Sequence, residues 1–519
     1  MLLTSLGNFL SRVSGLLRDL AFAASFGTGP VANAFFWAFN LPNLFRNVLG
    51  EGALTAAFIP LFSEVESKDG ESAARQFASM VFTLLALTTS ALAVLTALAL
   101  LLSSLVLPDS WGLQTGMAAL MMVFMPFVCL SAFIAGLLNI RKAYGLAAVS
   151  SSLLNLLVAA ACLIGPVLNP DKEMRIWLLP AAVILSGSLQ LWLLMRALMK
   201  NGMILDWTPH FDRDKLKHLW VLFVPALIGS SCTQLSLFID RNIAVCMDAW
   251  QWGESGALAA INYSERLVYL PVGIFGVSLG VACLPIMSKA VADNKPSEVS
   301  ETLDFGLRQA LFLSLPFTAL FFVWGEDIVS LVYQRGAFNH QSVLDTWLAL
   351  KYFVIGIPVF TAVKVVLQLF YSHKDTRTPV KISLSCLVIN LVACVGLLCL
   401  APGLKWASLP LATVISSSFN LILLLIFASR RHQHRPSLSC LWAVLRIAAC
   451  CLVATLAAKF AVDSLTATWQ QIGSPFLRLA CRLSFICLVA GGLYFVLLRL
   501  CGGREASQLI ATMRRRKAK

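Results

Sequence analysis

The chain has 519 residues, 58% hydrophobic and only 13% charged, with a mean hydropathy of +0.80. A soluble globular protein is nearer half apolar and a quarter charged, so this composition excludes a water-solvated fold. The net charge of +14 does not point to nucleic acid, because the basic residues sit in short segments between apolar blocks and at the C-terminus, with no polar domain to carry a binding face.

The first element is Met1–Phe26, apolar but with Arg12, Arg18 and Asp19 inside the run. A signal peptide keeps its positive charge ahead of the apolar core and ends in a small-residue cleavage site, so this stretch reads as a retained first helix. Beyond it come blocks free of charge, from Arg75 to Asp109, Asp109 to Arg141, Ala143 to Pro170 and Trp406 to Ser429. Each exceeds the roughly 20 residues that cross a hydrocarbon core of about 30 Å. Fourteen transmembrane helices are expected, over 2–27, 30–66, 73–107, 112–142, 145–168, 175–200, 214–248, 253–291, 298–325, 339–372, 377–401, 405–430, 438–463 and 472–502. The fold class is all-α and polytopic.

The longest connection, 201–217, carries Asp206, Pro209, Asp212 and Asp214 and reads as a cytoplasmic linker between an N-lobe at 1–200 and a C-lobe at 218–432. Two internal echoes support a duplication. Leu54–Ser63 resembles Leu279–Ser288, and Leu154–Val158 resembles Ile389–Ala393, at offsets of 225 and 235 residues. Two pseudo-symmetric lobes of six helices are a transporter pattern. The helix pair at 433–503 lies outside the repeat, and a basic cytoplasmic tail follows at 504–519. Arg141-Lys142, Arg430-Arg431 with Arg435, and Arg514–Lys517 fit the positive-inside rule if both termini are cytoplasmic. Fourteen cysteines are scattered without ligand spacing and read as small apolar residues. No metal or other cofactor is expected.

Four arginines lie within apolar helices: Arg12 and Arg18 on the first, Arg46 on the second, Arg266 on the eighth. An arginine in mid-bilayer costs from about 3 to more than 10 kcal/mol unless it finds a partner or water. Asn40, Asn43, Asn47 and Glu51 form a polar stripe beside Arg46; Asn262, Arg266, Tyr269 and Gly273 form another, continued by Gly276 and Gly280. Such stripes face a cavity or another helix, not lipid. Pairing within the chain would satisfy some cations, as Arg18 with Asp19 or Glu51, or Arg266 with Glu265. The four arginines outnumber those three carboxylates, and a surplus of guanidinium groups in a wet cavity suits a polyanionic substrate with phosphate oxygens. Pro42, Gly50, Gly52, Pro271 and Gly273 accompany the charges and mark places where the helices bend.

These residues carry a resemblance. Ser11-Arg12-Val13 with Gly15 and Arg18-Asp19, Ala34-Phe35-Phe36, Leu41-Pro42-Asn43-Leu44-Phe45-Arg46, Glu51-Gly52-Ala53, Ile59-Pro60, Glu265-Arg266-Leu267, Phe370-Tyr371 and Thr378-Pro379-Val380-Lys381 are similar to the MurJ (MviN) family of lipid II flippases. That family belongs to the multidrug/oligosaccharidyl-lipid/polysaccharide exporter superfamily. The resemblance implies two lobes around a cationic cavity, with a helix pair forming a groove for a lipid tail. It associates Arg12, Arg18, Arg46 and Arg266 with substrate, matches Asp19 and Glu51 to acidic motif positions, and matches Lys364 to a cavity lysine; Asn43 joins this set from the stripe. The chain departs from the pattern at Asn33, where Asp is common, and at Asn47, where a second Arg is usual. Asp240 and Asn390 stand where some members hold sodium, but Cys394 replaces an expected carboxylate, so no sodium site is expected.

The function implied is translocation of undecaprenyl-diphosphate-linked disaccharide pentapeptide from the cytoplasmic to the periplasmic leaflet of a bacterial inner membrane, by a monomer in contact with membrane lipids. A flippase for another polyprenyl-diphosphate glycan, such as an O-antigen unit, is the near alternative. A drug antiporter of this fold would call for buried carboxylates without an arginine surplus. A membrane transferase would call for paired carboxylates or a reactive histidine, and the six histidines, at 210, 218, 340, 373, 432 and 434, show no such spacing.

Overall fold

The structure is a computed structural model; it describes residues 2–108, 111–141, 143–168, 171–208, 212–249, 256–503 and 505. The expected tail at 504–519 falls outside the described residues except for Glu505, as does Lys142. Among the described residues the chain is helical with no strands.

Helix occupies every stretch where the sequence places one, often in two pieces. In chain order these are α1 (Leu2–Phe26), α2 (Pro30–Phe45), a π-helical segment Arg46–Leu54, α3 (Thr55–Asp69), α4 (Glu71–Ser103), α5 (Gly112–Met121), α6 (Phe124–Ile140), α7 (Tyr144–Ser150), α8 (Ser152–Leu168), α9 (Lys172–Arg175), α10 (Leu178–Lys200) and α11 (Arg213–Ala249). There follow α12 (Ala257–Pro271), a second π-helical segment Val272–Gly276, α13 (Val277–Ala292), α14 (Pro296–Tyr333), α15 (His340–Phe353), α16 (Ile357–Ser372), α17 (Arg377–Leu400), α18 (Ser408–His432), α19 (Leu438–Ser464), α20 (Thr466–Gln470) and α21 (Pro475–Leu500). Among the described residues nine helices are long and apolar enough to cross a membrane, and α5 with α6, bent by 41°, makes a tenth if the pair is one span. Large apolar side chains stand exposed along α4, from Val94 through Leu95 and Leu98 to Leu102, a surface that only lipid would cover.

The chain divides into two compact units: residues 1–259 with 335–339, and residues 260–334 with 340–519. The core of unit 1 gathers Phe58, Phe62, Phe77, Phe82, Phe133 and Ile134 from α3, α4 and α6, with Phe58 stacked on Phe77 at 5.5 Å and edge-on to Phe133 at 4.8 Å. The stretch read as a linker is strapped to this core. Met203 and Leu205 are buried in it, and the backbone amides of Asp206 and Thr208 donate to the hydroxyls of Ser79 and Thr83 on α4. Arg75 meets Asp206 at 2.7 Å. α11, which the sequence-based division assigns to the second lobe, packs within unit 1, for reasons visible in its hydrogen bonds below.

Unit 2 packs α13, α14 and α16 around Cys283, Met287, Leu303, Val365 and Phe370, and α17 pairs with α18. The last two long helices, α19 and α21, lie together on α14, where the hydroxyl of Tyr494 donates to the carbonyl of Phe312 at 3.0 Å. α14 is broken by a kink at Trp324, whose backbone leaves the helical region one residue before the stop expected at 325. Just beyond the kink, Arg482 on α21 meets Asp327 at 3.3 Å.

Candidate functional site

In unit 1, α1 presents Ser11, Ser14, Gly15, Arg18 and Asp19 to α8. Three- and four-residue spacing places the first four on one face, and α8 answers with Asn155. Its amide donates to the Ser14 hydroxyl at 3.1 Å and to the Ser11 carbonyl at 3.2 Å, while its oxygen accepts from Arg18 Nη1 at 3.2 Å. Arg18 also donates through Nε and Nη2 to one oxygen of Asp19, at 2.9 and 2.6 Å, with side-chain exposures of 11% and 7%. The Phe39 ring lies 6.0 Å from its guanidinium carbon. Of the partners the sequence offers Arg18, Asp19 is the one it meets. Adjacent residues on a helix point about 100° apart, but the arginine stem is long enough to swing back onto its neighbour. Asn155 entered the sequence reading only as part of an internal echo, and its role as the arginine's partner was missed. Arg12, by contrast, is exposed, and among the described residues it makes no hydrogen bond or ion pair.

The stripe on α2 divides. Asn40 accepts from Arg241 of α11 at 2.7 Å, Asn47 donates to Gln234 at 3.1 Å, and Trp37 donates to Asn242 at 3.1 Å. These bonds hold α11 in unit 1, and through them Asn40 and Asn47 face a neighbouring helix. Asn43 is half-buried and donates to the Phe39 carbonyl of its own helix at 2.8 Å. Arg46 donates to Asn47 at 3.3 Å. The side chain of Glu51 lies outside the described residues. Arg241 was missed from sequence, although Asp240-Arg241-Asn242 interrupts an otherwise apolar stretch and was the signal to follow.

The helix breakers have a specific outcome. Pro42 cannot donate its backbone amide, and the chain passes four residues later into the π-helical segment at 46–54, which contains Gly50, Glu51 and Gly52. Pro271 is followed at once by the π-helical segment at 272–276. Both units thus carry a proline, a wide turn and then a helix with an internal proline, at Pro60 and Pro285. Wide turns of this kind occur mostly at functional places, because they leave backbone groups loosely bonded and re-aim side chains.

In unit 2, Arg266 on α12 and Lys364 on α16 are both exposed. Tyr269 packs its ring on Phe353 and Phe360, each at 5.9 Å. Further along the same stripe, Gly276 and Gly280 let α16 come close: a Cβ on Gly280 would stand 3.0 Å from the Lys364 carbonyl oxygen. The stripe faces a helix along its glycine end, and that contact fixes the backbone of Lys364 while its ammonium stays exposed.

Asn33 is buried, and its amide oxygen accepts from the backbone N–H of Ala259 near the start of α12 at 2.7 Å. Residue 33 therefore satisfies one of the orphan donors of a helix N-terminus, a task for which an amide oxygen serves as a carboxylate would. Among the described residues no group of three or more His, Cys, Asp or Glu is placed to hold a metal ion.

A family model described as "Lipid II flippase MurJ" matches residues 22–479. The chain belongs to the MurJ lipid II flippase family. Among relatives, the lipid II flippase MurJ of Burkholderia cenocepacia is 30% identical over 513 residues, covering 96% of each chain. The probable lipid II flippase MurJ of Rhizobium tropici is 28% identical over 519 residues, covering 98% of this chain and 95% of its own. The fold is that of a solved MurJ in an inward closed conformation, with a TM-score of 0.77 at 20% identity over 96% of this chain and 99% of that one. An inward-facing multidrug MATE transporter follows at a TM-score of 0.65 and 13% identity, over 82% of this chain and 94% of that one. The MurJ match begins at residue 22, so Arg12, Arg18 and Asp19 lie ahead of it.

Proposed function

We propose that this chain is a fourteen-span inner-membrane flippase that moves undecaprenyl-diphosphate-linked disaccharide pentapeptide from the cytoplasmic to the periplasmic leaflet by alternating access. The observation that carries the reading is the family match over 22–479, with relatives named lipid II flippase along nearly the full chain. It is a transporter and performs no covalent chemistry. Charge at the helix ends supports cytoplasmic termini. Ends that would then be cytoplasmic carry, among others, Lys68, Arg75, Arg141, Lys142, Lys374, Arg377, Arg430, Arg431 and Arg435, whereas the opposite ends carry the fewer Lys172, Arg175, Arg335, Lys405, Lys459 and Arg478.

The residues divide the work by exposure. Arg12, Arg266 and Lys364 present cations that a diphosphate can reach, and an arginine fork binds phosphate oxygens in pairs without losing its charge. Arg18 is already neutralised by Asp19 and tied to Asn155, so it shapes the site and sets the pitch of α1 against α8. The π-helical segments after Pro42 and Pro271 give each unit a place to bend as access alternates. α19 and α21 offer the tail a groove outside the two lobes, and a single copy suffices.

Expressing the chain in a bacterium depleted of its own lipid II flippase tests this reading. Growth should return and the cytoplasmic-leaflet pool of precursor should fall. Protein present in the membrane with no rescue, or rescue of O-antigen display alone, would overturn it.

A further inference from the structure

The end of α1 away from the N-terminus meets the end of α8, the short α9 and residues 335–339, all within unit 1. Between them lies a cavity of about 370 Å³, lined among others by Ala24, Ser25, Cys162, Pro166, Arg175 and Ala337. Its wall is a close backbone contact. The amide of Ala337 donates to the Ala24 carbonyl at 2.7 Å, and both Gly27 and Gly336 adopt positive φ, at +65° and +57°. A Cβ at Gly27 would stand 2.5 Å from the Ala337 oxygen, and one at Gly336 would run into the Ala24 carbonyl. Glycine alone permits this seam, so the cavity is a constructed feature and not a gap in packing.

Arg175 is the charged residue of that lining, and it is only 8% exposed. Its stem packs on the bare face of Gly165, and its Nε donates to the Asp171 carbonyl at 3.3 Å. Among the described residues no carboxylate meets it, and its two terminal nitrogens have no acceptor. The Ser25 hydroxyl is occupied by the Cys162 carbonyl at 3.0 Å, which leaves the guanidinium fork as the chemistry on offer. A cation buried this far without a counter-ion is costly, and the fork matches a phosphate.

We propose that Arg175 forms a phosphate-binding site at this end of unit 1, distinct from the Arg18–Asp19–Asn155 cluster. Cys162 follows Asn155 by seven residues on α8, which puts the two sites about 10 Å apart along the helix. The surroundings indicate where the phosphate comes from. Val167 and Leu168, about one and a half turns on from Cys162, are 85% and 68% exposed, and Trp177 beside the arginine is 40% exposed, the apolar and aromatic surface of a lipid interface. The ligand is a phosphate oxyanion, carried by a lipid headgroup or free in solution. In the topology proposed above this end is periplasmic, but binding itself does not depend on that reading or on transport.

Calorimetry on the full-length protein in phospholipid-free detergent tests the site, with inorganic phosphate and short-chain phosphatidylglycerol as the two probes. At least one should bind saturably, and Arg175→Gln should weaken it about tenfold or more while Arg175→Lys weakens it less. Binding of phosphatidylglycerol alone assigns the site to a lipid headgroup, and binding of inorganic phosphate assigns it to a free anion; both support an oxyanion site. Thermal melting checks that each variant folds, and if Arg175→Gln does not, Arg175→Lys decides, since a site built on the fork must respond to losing it. Absence of saturable binding by either probe, or binding unchanged in a folded Arg175 variant, would overturn the proposal.

Discussion

Arg12 and Arg18 share one apolar helix, yet their surroundings differ in kind. Arg18 is locked to Asp19 at 2.6 Å in a nearly dry setting, and Asn155 accepts from its third nitrogen, Nη1. Removing one partner of a buried pair strands the other, at a cost of about 3–5 kcal/mol. Arg18→Ala should therefore lower the melting temperature of the purified protein sharply, and Arg18→Ala combined with Asp19→Ala should recover much of the loss; a double variant as unstable as the single one would show that the pair is not what holds Arg18. Arg12 and Lys364 are exposed, so Arg12→Ala and Lys364→Ala should leave melting unchanged while each weakens precursor binding by about 1.5–3 kcal/mol, the range of a charge-assisted hydrogen bond, read by titration with a diphosphate-bearing lipid. At this scale the sequence was a partial guide. It marked which residues are out of place in lipid, because charge inside an apolar run is visible by eye. It could not rank them, because Asn155 lies 137 residues from Arg18, and only the fold brings the amide to the guanidinium.

Among the elements, helix length was easily read and helix continuity was not. Apolar runs set where helices lie, since backbone groups have no other way to be satisfied in lipid. The stop expected at 325 is a kink at Trp324 beyond which a further helical segment continues to Tyr333, and the stripe on α2 could not be assigned between a cavity and a neighbouring helix without its partners on α11. Glycines test the helix contacts directly. Gly280→Val should destabilise by about 1–3 kcal/mol, because its side chain would meet the Lys364 carbonyl, whereas Gly396→Ala in α17, with nothing within 4 Å of its added Cβ, should be neutral or slightly stabilising in the same melting measurement. A second test lies beyond the end of α18. His434 is buried, bonded to Ser300 at 2.9 Å, and set with His373 and His432 in a cluster that also holds Asp375 and Arg431. Burial first, and then the neighbouring His373, pushes the His434 imidazole below its ordinary range. The unfolded chain then takes up the proton first, so this contribution is complete above about pH 6.5 and is lost as the pH falls below it. Melting temperature should drop between pH 7.5 and 5.5, and His434→Phe should flatten that slope; an unchanged slope would place the sensitivity elsewhere.

For the whole molecule, composition alone identified a polytopic helical protein, and the motifs around Arg12, Pro42 and Arg266 pointed to the family before any geometry was known. The prolines visible in the sequence recur in order in the structure, Pro42 and Pro271 each ahead of a wide turn, then Pro60 and Pro285 each inside the helix that follows. The course of the linker was less legible. Its polar residues mark 201–217 as a connection, but not that Met203, Leu205 and the amides of Asp206 and Thr208 bind it to unit 1, a use of loop backbone that composition does not reveal. The central claim is that this chain moves a diphosphate-linked lipid between leaflets with exposed cations as its binding groups. It is tested most directly in sealed vesicles holding the purified full-length chain and fluorescent undecaprenyl-diphosphate-linked disaccharide pentapeptide, with a membrane-impermeant quencher reporting the leaflet that holds the label. The account predicts protein-dependent exchange between leaflets, slowed about tenfold or more by Arg12→Ala or Lys364→Ala at equal reconstitution. Exchange no faster than in protein-free vesicles, or exchange indifferent to both substitutions, would contradict it.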